Sequence, residues 1–222
     1  MHTVSQHSRV LFLLPAWLIA VAIAIPIVAT LLAVAEPQGP IWEHLQETVL
    51  SEYVLNSLAL MTLTGAISLV LGVSTGWLIG ACAFKGRETL SWLLMLPLAA
   101  PAYIVAYVYT DLLEVSGPVL TALRSILSLD VGELPLPSIR TLPGAAILLS
   151  LVLYPYIYLL SRNSFAGRSG AQFDAARVLG HGPYSAFFRI ALPASRPAIL
   201  GGLAVVLMET LADFGVVSYF SV

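Results

Sequence analysis

Residues 169–193 read SGAQFDAARVLGHGPYSAFFRIALP and lie between two long apolar runs. Ser169, followed three residues later by a glutamine, has the spacing of a capping box and predicts a helix start. Gly180 is suited to the left-handed residue that ends a helix, and Pro183 to the first turn of the next one. Pro193 and Pro197 are expected to end that second helix. This stretch therefore predicts two short helices around a tight turn. Arginines on and around it indicate that it lies outside the bilayer: Arg168, Arg177, Arg189 and Arg196.

The composition is that of a membrane protein. Of 222 residues, 59% are hydrophobic and 10% are charged, whereas soluble domains carry about 25% charged residues. Cys82 is the single cysteine, which excludes an intrachain disulfide and a cysteine-based metal cluster. Lys85, the single lysine, follows Phe84, so the chain has no phosphate-binding loop of the Gly-Lys-Ser/Thr type. The sequence predicts a protein that is not an ATP-hydrolysing enzyme, with no cofactor and no metal.

Four apolar runs are long enough to cross a bilayer, which takes about 20 residues, and a fifth is unfinished because Glu209 interrupts it. The first is longer than the hydrophobic region of a signal peptide, so we expect it to remain as a span. The fold class predicted is an all-α, polytopic transmembrane helix bundle of about five spans, with a short surface helix around residues 41–50. The predicted spans are residues 10–35, 53–84, 89–110, 142–161 and a last one beginning at Pro197.

Two of these spans carry further signals. Pro97 and Pro101 predict a kink near the middle of the third span. The stretch 120–129, which follows it, is apolar but too short to cross and is expected to form a re-entrant or surface helix. Small residues recur at about four-residue intervals in the second span, which favours close helix packing over a pore-lining face. They are Gly65, Gly72, Gly76 and Gly80.

Charge asymmetry predicts the orientation. With the N-terminus in the cytoplasm, only Arg124 and Arg140 lie outside, in agreement with the positive-inside rule. The loop 162–196 is then cytoplasmic. The basic residues on the cytoplasmic side are Arg9, Lys85, Arg87, Arg162, Arg168, Arg177, Arg189 and Arg196.

Two carboxylates occupy the fifth span. Glu209 and Asp213 are four residues apart and are expected to share a helix face. Intramembrane carboxylates are costly and usually face a bundle interior or a water-filled cavity. They can line a solute pathway or act as structural hydrogen-bond partners, and the sequence leaves both roles open. No histidine or cysteine lies nearby in the sequence, so a metal site is not expected.

The loop resembles the EAA signature of ABC-transporter permeases. That pattern is Glu-Ala-Ala, three residues, Gly, nine residues and Ile-x-Leu-Pro, and every interval matches here. Asp174 stands in place of the usual Glu, which keeps the charge but shortens its reach. The resemblance implies that the loop inserts into a cleft of a separate ATPase subunit. The matching residues are Asp174, Ala175, Ala176, Gly180, Ile190, Leu192 and Pro193.

Two further stretches are similar to ferric-iron importer permeases. They are LPLAAPAYIVAYVYTDLL at residues 96–113, followed by SGPV at 116–119, and METLADFGVVSYF at 208–220. This similarity implies transport of ferric iron, with thiamine, sulfate or a polyamine as alternatives within the family. It also implies an incomplete permease domain at residues 51–222, preceded at 1–50 by the first span and a periplasmic linker, and an N-terminal fragment of a fused two-half permease. The implied partners are an ABC ATPase dimer, a periplasmic binding protein, a second permease half and the lipid bilayer, but not nucleic acid.

Two other functional classes fit the sequence less well. An ion-coupled secondary transporter would use Glu209 and Asp213, but the EAA-like loop has no role in one. An intramembrane enzyme is disfavoured because the sequence pairs no nucleophile with a base and has no metal-ligand cluster.

Overall fold

The computed structural model describes residues 6–35, 44–45, 47–128, 139–178, 180 and 182–221. The chain divides into two units, Met1–Glu52 and Tyr53–Val222. In the first unit, helix α1 covers Gln6–Ala35 and includes Pro15 and Pro26. Residues 44–45 and 47–48 are also helical, as expected for a short helix here, and residues 41–43 and 46 lie outside the described part.

The rest of the described chain is also helical and contains no strand, which confirms the all-α class. Its helices are α2 (Leu50–Ala81), α3 (Arg87–Leu93), α4 (Ala102–Leu113), α5 (Pro118–Leu127), α6 (Leu142–Val178), α7 (Pro183–Ala186), α8 (Arg196–Ala212) and α9 (Phe214–Phe220). A 3₁₀ turn, Leu96–Ala99, lies between α3 and α4. A π-helical turn, Phe187–Ala191, and a short α-turn, Leu192–Ala194, connect α7 to α8.

The predicted spans correspond to straight helices and to bent pairs. α2 and residues Leu142–Gly167 of α6 are each long and apolar enough to cross a membrane. Two broken pairs meet the same criterion if each counts as one span: Arg87–Ala99 with Ala102–Leu127, and Tyr184–Ala194 with Arg196–Ala212. The remaining long helix, α1, has 30 residues, within which Trp17–Ala33 form a shorter apolar stretch. The third and fifth spans are therefore broken rather than continuous.

Glycines bring α2 and α6 together. A Cβ at Gly72 would lie 2.6 Å from the Cβ of Ile157, and one at Gly80 would lie 2.9 Å from the Cβ of Phe165. The residue numbers of the contacting pairs increase in the same direction along both helices, so α2 and α6 run parallel. Side chains other than glycine would force the two backbones apart. The interpretation of the glycine series as a packing face is confirmed.

Serine hydroxyls on α6 reinforce this contact. The Oγ of Ser161 donates to the carbonyl of Gly72 at 3.1 Å, and the Oγ of Ser150 donates to that of Thr64 at 3.2 Å. α8 packs on the same helix, where Gly202 lies against Ile157. α6 is therefore the central helix of the bundle, and Leu149, Ile157 and Phe165 are buried along it.

The third span breaks between α3 and α4, where the two segments meet at 97°. Ala100 is extended, with φ −112° and ψ 131°, because Pro101 after it disfavours the helical conformation. The break is much sharper than the kink predicted from Pro97 and Pro101. After the break, α5 forms the short helix expected at 120–129, beginning at Pro118 and ending at Leu127, with Ser128 left-handed.

Two tyrosines of α6 complete the broken end of α3. The helix ladder stops there because Met95 N–H bonds to Trp92 O, which leaves the carbonyl of Ser91 without its usual donor. The hydroxyl of Tyr158 donates to that carbonyl at 3.1 Å. One turn away, the hydroxyl of Tyr154 donates to the carbonyl of Leu94 at 2.9 Å. These bonds attach the end of α3 to the central helix.

The opposite end of the bundle carries an ion pair. Arg140, just before α6, lies 3.1 Å from Glu114, and its guanidinium stacks over the ring of Tyr219 at 4.9 Å. Tyr107 of α4 packs against Tyr219 at a ring distance of 5.9 Å. α4, α9 and the start of α6 therefore meet at the end of the bundle away from the loop 162–196.

Candidate functional site

The first half of the loop is an extension of α6. This helix runs without interruption from Leu142 to Val178 and contains Asp174, Ala175 and Ala176. The predicted helix start at Ser169 is wrong. An N-terminal cap is needed only where backbone N–H groups lack carbonyls one turn earlier, and here the preceding turn of α6 supplies them.

The chain reverses at Gly180. Its φ is +79°, as expected for a left-handed helix end, and this conformation is strained for residues with a Cβ. Among the described residues, none lies within 4 Å of a Cβ built at Gly180 or Gly182, and both glycines are exposed.

The second half of the loop returns to the bundle. Pro183 begins α7, as predicted, and the second helix ends at Ala194, between the two prolines expected to stop it, Pro193 and Pro197. Proline lacks an N–H and crowds the carbonyl four residues earlier. The π turn, in which Leu192 N–H bonds to Phe187 O, relieves this crowding, and the helix continues to Ala194. The helix axis then bends by 68° at Ser195, the residue that precedes α8.

The second half of the signature faces the bundle rather than solvent. Ala191 is buried, and Leu192 packs against the hydrophobic core. Ile190 and Pro193 are half-buried. The structure thus separates the signature into a projecting part up to Gly180 and a packed part from Ile190 onward.

An aromatic cluster that was not predicted from the sequence holds this returning segment in place. Trp77 of α2 lies 4.7 Å from Phe187 and 5.3 Å from Phe165 of α6, measured between ring centroids. A second contact joins Ser164 Oγ to Ser195 Oγ at 3.0 Å. The sequence shows aromatic residues near the ends of the spans. Which of these rings contact each other depends on how the helices pack.

The two carboxylates of the fifth span do not share a helix face. α8 ends at Ala212, and Asp213 has φ −79° and ψ 97°. The Oδ1 of Asp213 accepts a hydrogen bond of 2.7 Å from Val216 N–H and so caps α9. Short acidic side chains compete with the helix ladder in this way, which explains the break. Glu209 lies on the exposed side of α8, one turn before the break.

In the described part of the chain, no three histidine, cysteine, aspartate or glutamate side chains are grouped so that they could hold a metal ion. Cys82 is a free, half-buried thiol. The site consists of a projecting turn, a packed returning segment and the helices that support them.

The model of one protein family matches residues 72–221, which include the loop and its supporting helices. Its description is binding-protein-dependent transport system inner membrane component. The chain belongs to this family. Membership and the apolar helices together indicate a multi-pass inner-membrane protein.

Several curated relatives are transport permeases. The molybdenum transport system permease protein ModB of Escherichia coli K12 is 28% identical over 162 residues, covering 73% of this chain and 68% of ModB. A probable molybdenum ABC transporter permease protein of Haloferax volcanii is 26% identical over 161 residues, covering 72% of this chain and 55% of that protein. The spermidine/putrescine transport system permease protein PotB of Haemophilus influenzae is 29% identical over 176 residues, covering 78% and 59%. This chain thus spans 55 to 68% of the length of these relatives.

Proposed function

We propose that this chain forms the membrane pathway of an ATP-driven ABC importer and couples it to a separate ATPase dimer. The observation that carries the proposal is the loop 162–196, in which the EAA-like spacing coincides with a turn projecting from one end of the bundle. A connection between spans that served only to turn the chain would more often be short. This one extends α6 beyond its apolar part, reverses at Gly180 and returns to pack on the bundle.

The docking surface is proposed to lie before Gly180. Ala175 and Ala176 present small side chains that permit close approach of a partner, and Asp174 supplies one charge. A cleft has room at this turn, since no described residue lies within 4 Å of a Cβ built at Gly180 or Gly182. Ile190, Leu192 and Pro193 are proposed to act in coupling from the packed side of the loop.

The docking end is proposed to be cytoplasmic, with the N-terminus on the same side. Gly80 near the end of α2 lies against Phe165 of α6, so the basic turn after α2 and the loop 162–196 occupy the same end. Positive residues concentrate on the cytoplasmic side of membrane proteins, and Lys85 and Arg87 lie in this turn. A reporter fused after Arg168 is expected to be cytoplasmic.

A periplasmic binding protein and a second permease half, fused or separate, are the other proposed partners. The family description itself refers to binding-protein-dependent transport. Residues 51–222 are proposed as the permease domain of this chain. Glu209, on the exposed side of α8, is proposed to line the pathway or the contact with the second half.

Two solutes are proposed as candidates, each with separate support. Ferric iron is favoured by the similarity of residues 96–113, 116–119 and 208–220 to ferric-iron importer permeases. Molybdate is favoured by the two relatives named for molybdenum. PotB is named for spermidine and putrescine, in line with the polyamine alternative.

The test reconstitutes the complete permease with its ATPase in proteoliposomes, adds the binding protein, and follows uptake of radioactive ferric iron and of radioactive molybdate. ATP enclosed in vesicles whose nucleotide-binding sites face the lumen is expected to drive uptake of one of the two solutes. An ATPase variant that cannot hydrolyse ATP is expected to abolish this uptake. Uptake driven by an ion gradient without ATP would instead establish a secondary transporter and overturn the proposal.

A further inference from the structure

The returning segment of the loop, residues 183–195, is attached to the bundle at both ends. In its first half, Phe187 packs edge-on against Trp77. The ring centroid of Phe165 lies 6.2 Å from that of Phe187. At its end, Ser195 is hydrogen-bonded to Ser164. Phe165 and Ser195 are each only 2% exposed, so both attachments are largely buried.

These attachments join three separate elements. Trp77 lies near the end of α2, Phe165 and Ser164 lie on α6, and Phe187 belongs to the loop itself. The centroid distances and edge-to-face geometry are those preferred by aromatic pairs, about 4.5–7 Å. Buried, interdigitated side chains do not deform continuously, so elements joined this way tend to move together.

The two glycines before this segment lack such contacts. No described residue lies within 4 Å of a Cβ built at Gly180 or Gly182, whereas Ala186 and Ala191 in the returning segment are buried. Any bending of the loop is therefore expected at the glycine turn rather than in residues 183–195.

We propose that Trp77, Phe165 and Phe187 form an aromatic clamp that makes the returning segment one rigid body with α2 and α6. Phe187 is thus a positioning residue that transmits movement from the loop to two spans at once. This inference rests on the proposed coupling to an ATPase, and it assigns a role to residues outside the EAA-like signature.

A disulfide cross-link tests whether these elements move as one body. Ser164→Cys and Ser195→Cys are combined with Cys82→Ser, which removes the native thiol, and the thiols are oxidised with copper phenanthroline in the reconstituted complex. Uptake of ferric iron and molybdate is compared before oxidation, after oxidation and after reduction. If the segment and α6 move together, the cross-linked complex should retain uptake within about twofold. A larger loss that reduction reverses would show relative movement and overturn the proposal.

Substitution of the clamp tests transmission itself. Phe187→Ala is expected to lower uptake at least tenfold while the ATPase still co-purifies and hydrolyses ATP, and Phe187→Tyr should recover most of the uptake. Tyr184→Ala is the matched control, because Tyr184 is an aromatic residue of the same segment that is 82% exposed, and it should stay within about twofold of the unaltered protein. Equal effects of the two alanine variants would overturn the role of Phe187. If Phe187→Ala fails to reach the membrane, the cross-link decides the proposal.

Failure of the proposed function and failure of the aromatic clamp would give different results. If the unaltered complex shows no ATP-dependent uptake of either probe and binds no ATPase, the proposed function fails and this inference falls with it. If uptake is normal but the clamp variants or the cross-link behave contrary to expectation, only the clamp is overturned.

Discussion

Gly202 on α8 lies directly against Ile157 on α6, and a Cβ at position 202 would sit 2.8 Å from the Ile157 Cα. The obstructing atom belongs to the backbone, so a rotamer change cannot relieve the contact. α6 and α8 are therefore held at a distance that only glycine allows at this position.

Gly202→Ala is expected to destabilise the bundle by about 1–3 kcal/mol, the usual cost of overpacking. Gly201→Ala is the matched control, because its nearest neighbour would be the Cδ1 of Leu160 at 3.9 Å. Alanine is also the better helix former, so Gly201→Ala should be neutral or slightly stabilising. Melting temperatures of the purified permease in detergent distinguish the two, and equal values would contradict the close contact.

Tyr158→Phe is expected to cost about 1 kcal/mol, because it removes the donor to the buried carbonyl of Ser91. Tyr154→Phe should have a similar effect through Leu94. Tyr156→Phe serves as the control, since Tyr156 is on the same helix and makes no side-chain hydrogen bond within the described residues. The measurement is again the melting temperature. A drop with Tyr156→Phe as large as with Tyr158→Phe would argue against the carbonyl caps.

Thr64→Val is expected to be neutral or stabilising by up to about 1 kcal/mol. The Oγ1 of Thr64 is buried and has no hydrogen-bond partner among the described residues, and valine replaces it with a methyl group of similar shape. Ser150→Ala removes the hydrogen bond from the Ser150 hydroxyl to the Thr64 carbonyl. It should therefore destabilise the protein more than Thr64→Val does. If Thr64→Val keeps its melting temperature but loses uptake, the hydroxyl is used in another conformation of the transport cycle.

Gly180→Val is expected to weaken docking of the ATPase about five- to hundredfold, because strain at a positive φ is worth about 1–3 kcal/mol. Gly182→Val is the control: position 182 has equal space, and its φ is not positive. Asp174→Ala should be milder than Gly180→Val, since it removes one charge and leaves the helix path intact. Co-purification of the ATPase with each variant is the measurement. Normal binding and transport by Gly180→Val would show that the loop is only a connector.

Asp213→Ala is expected to lose about 1 kcal/mol through the missing cap of α9, whereas Asp213→Asn should retain most of the stability. Glu209→Gln is expected to leave the melting temperature unchanged and to lower uptake if Glu209 lines the pathway. Uptake and melting temperature are measured together for all three variants. A loss of uptake by Asp213→Asn at normal stability would show that the charge of Asp213 also acts in transport.

The sequence by itself determined the features that depend on neighbouring residues. Apolar runs of sufficient length predicted membrane-spanning helices, because backbone groups in lipid must be satisfied within the segment. Pro97 and Pro101 predicted a kink in the third span, since a proline disfavours the helical conformation of the residue directly before it, but not how sharp the break before α4 is. The left-handed Gly180 was likewise predicted, from its place between a helix and a proline-initiated turn.

Only the tertiary structure decided what lies between distant residues. Ser169 has the spacing of a helix cap, yet it is interior because α6 already runs through it. Tyr158 caps a carbonyl 67 positions away, and Trp77 and Phe187 meet across more than a hundred residues. Such contacts arise from packing, which brings together groups whose local sequences carry no mutual signal. Capping and the backbone preferences of proline and glycine act on residues within one or two helical turns. Contacts between helices join residues much farther apart in the sequence.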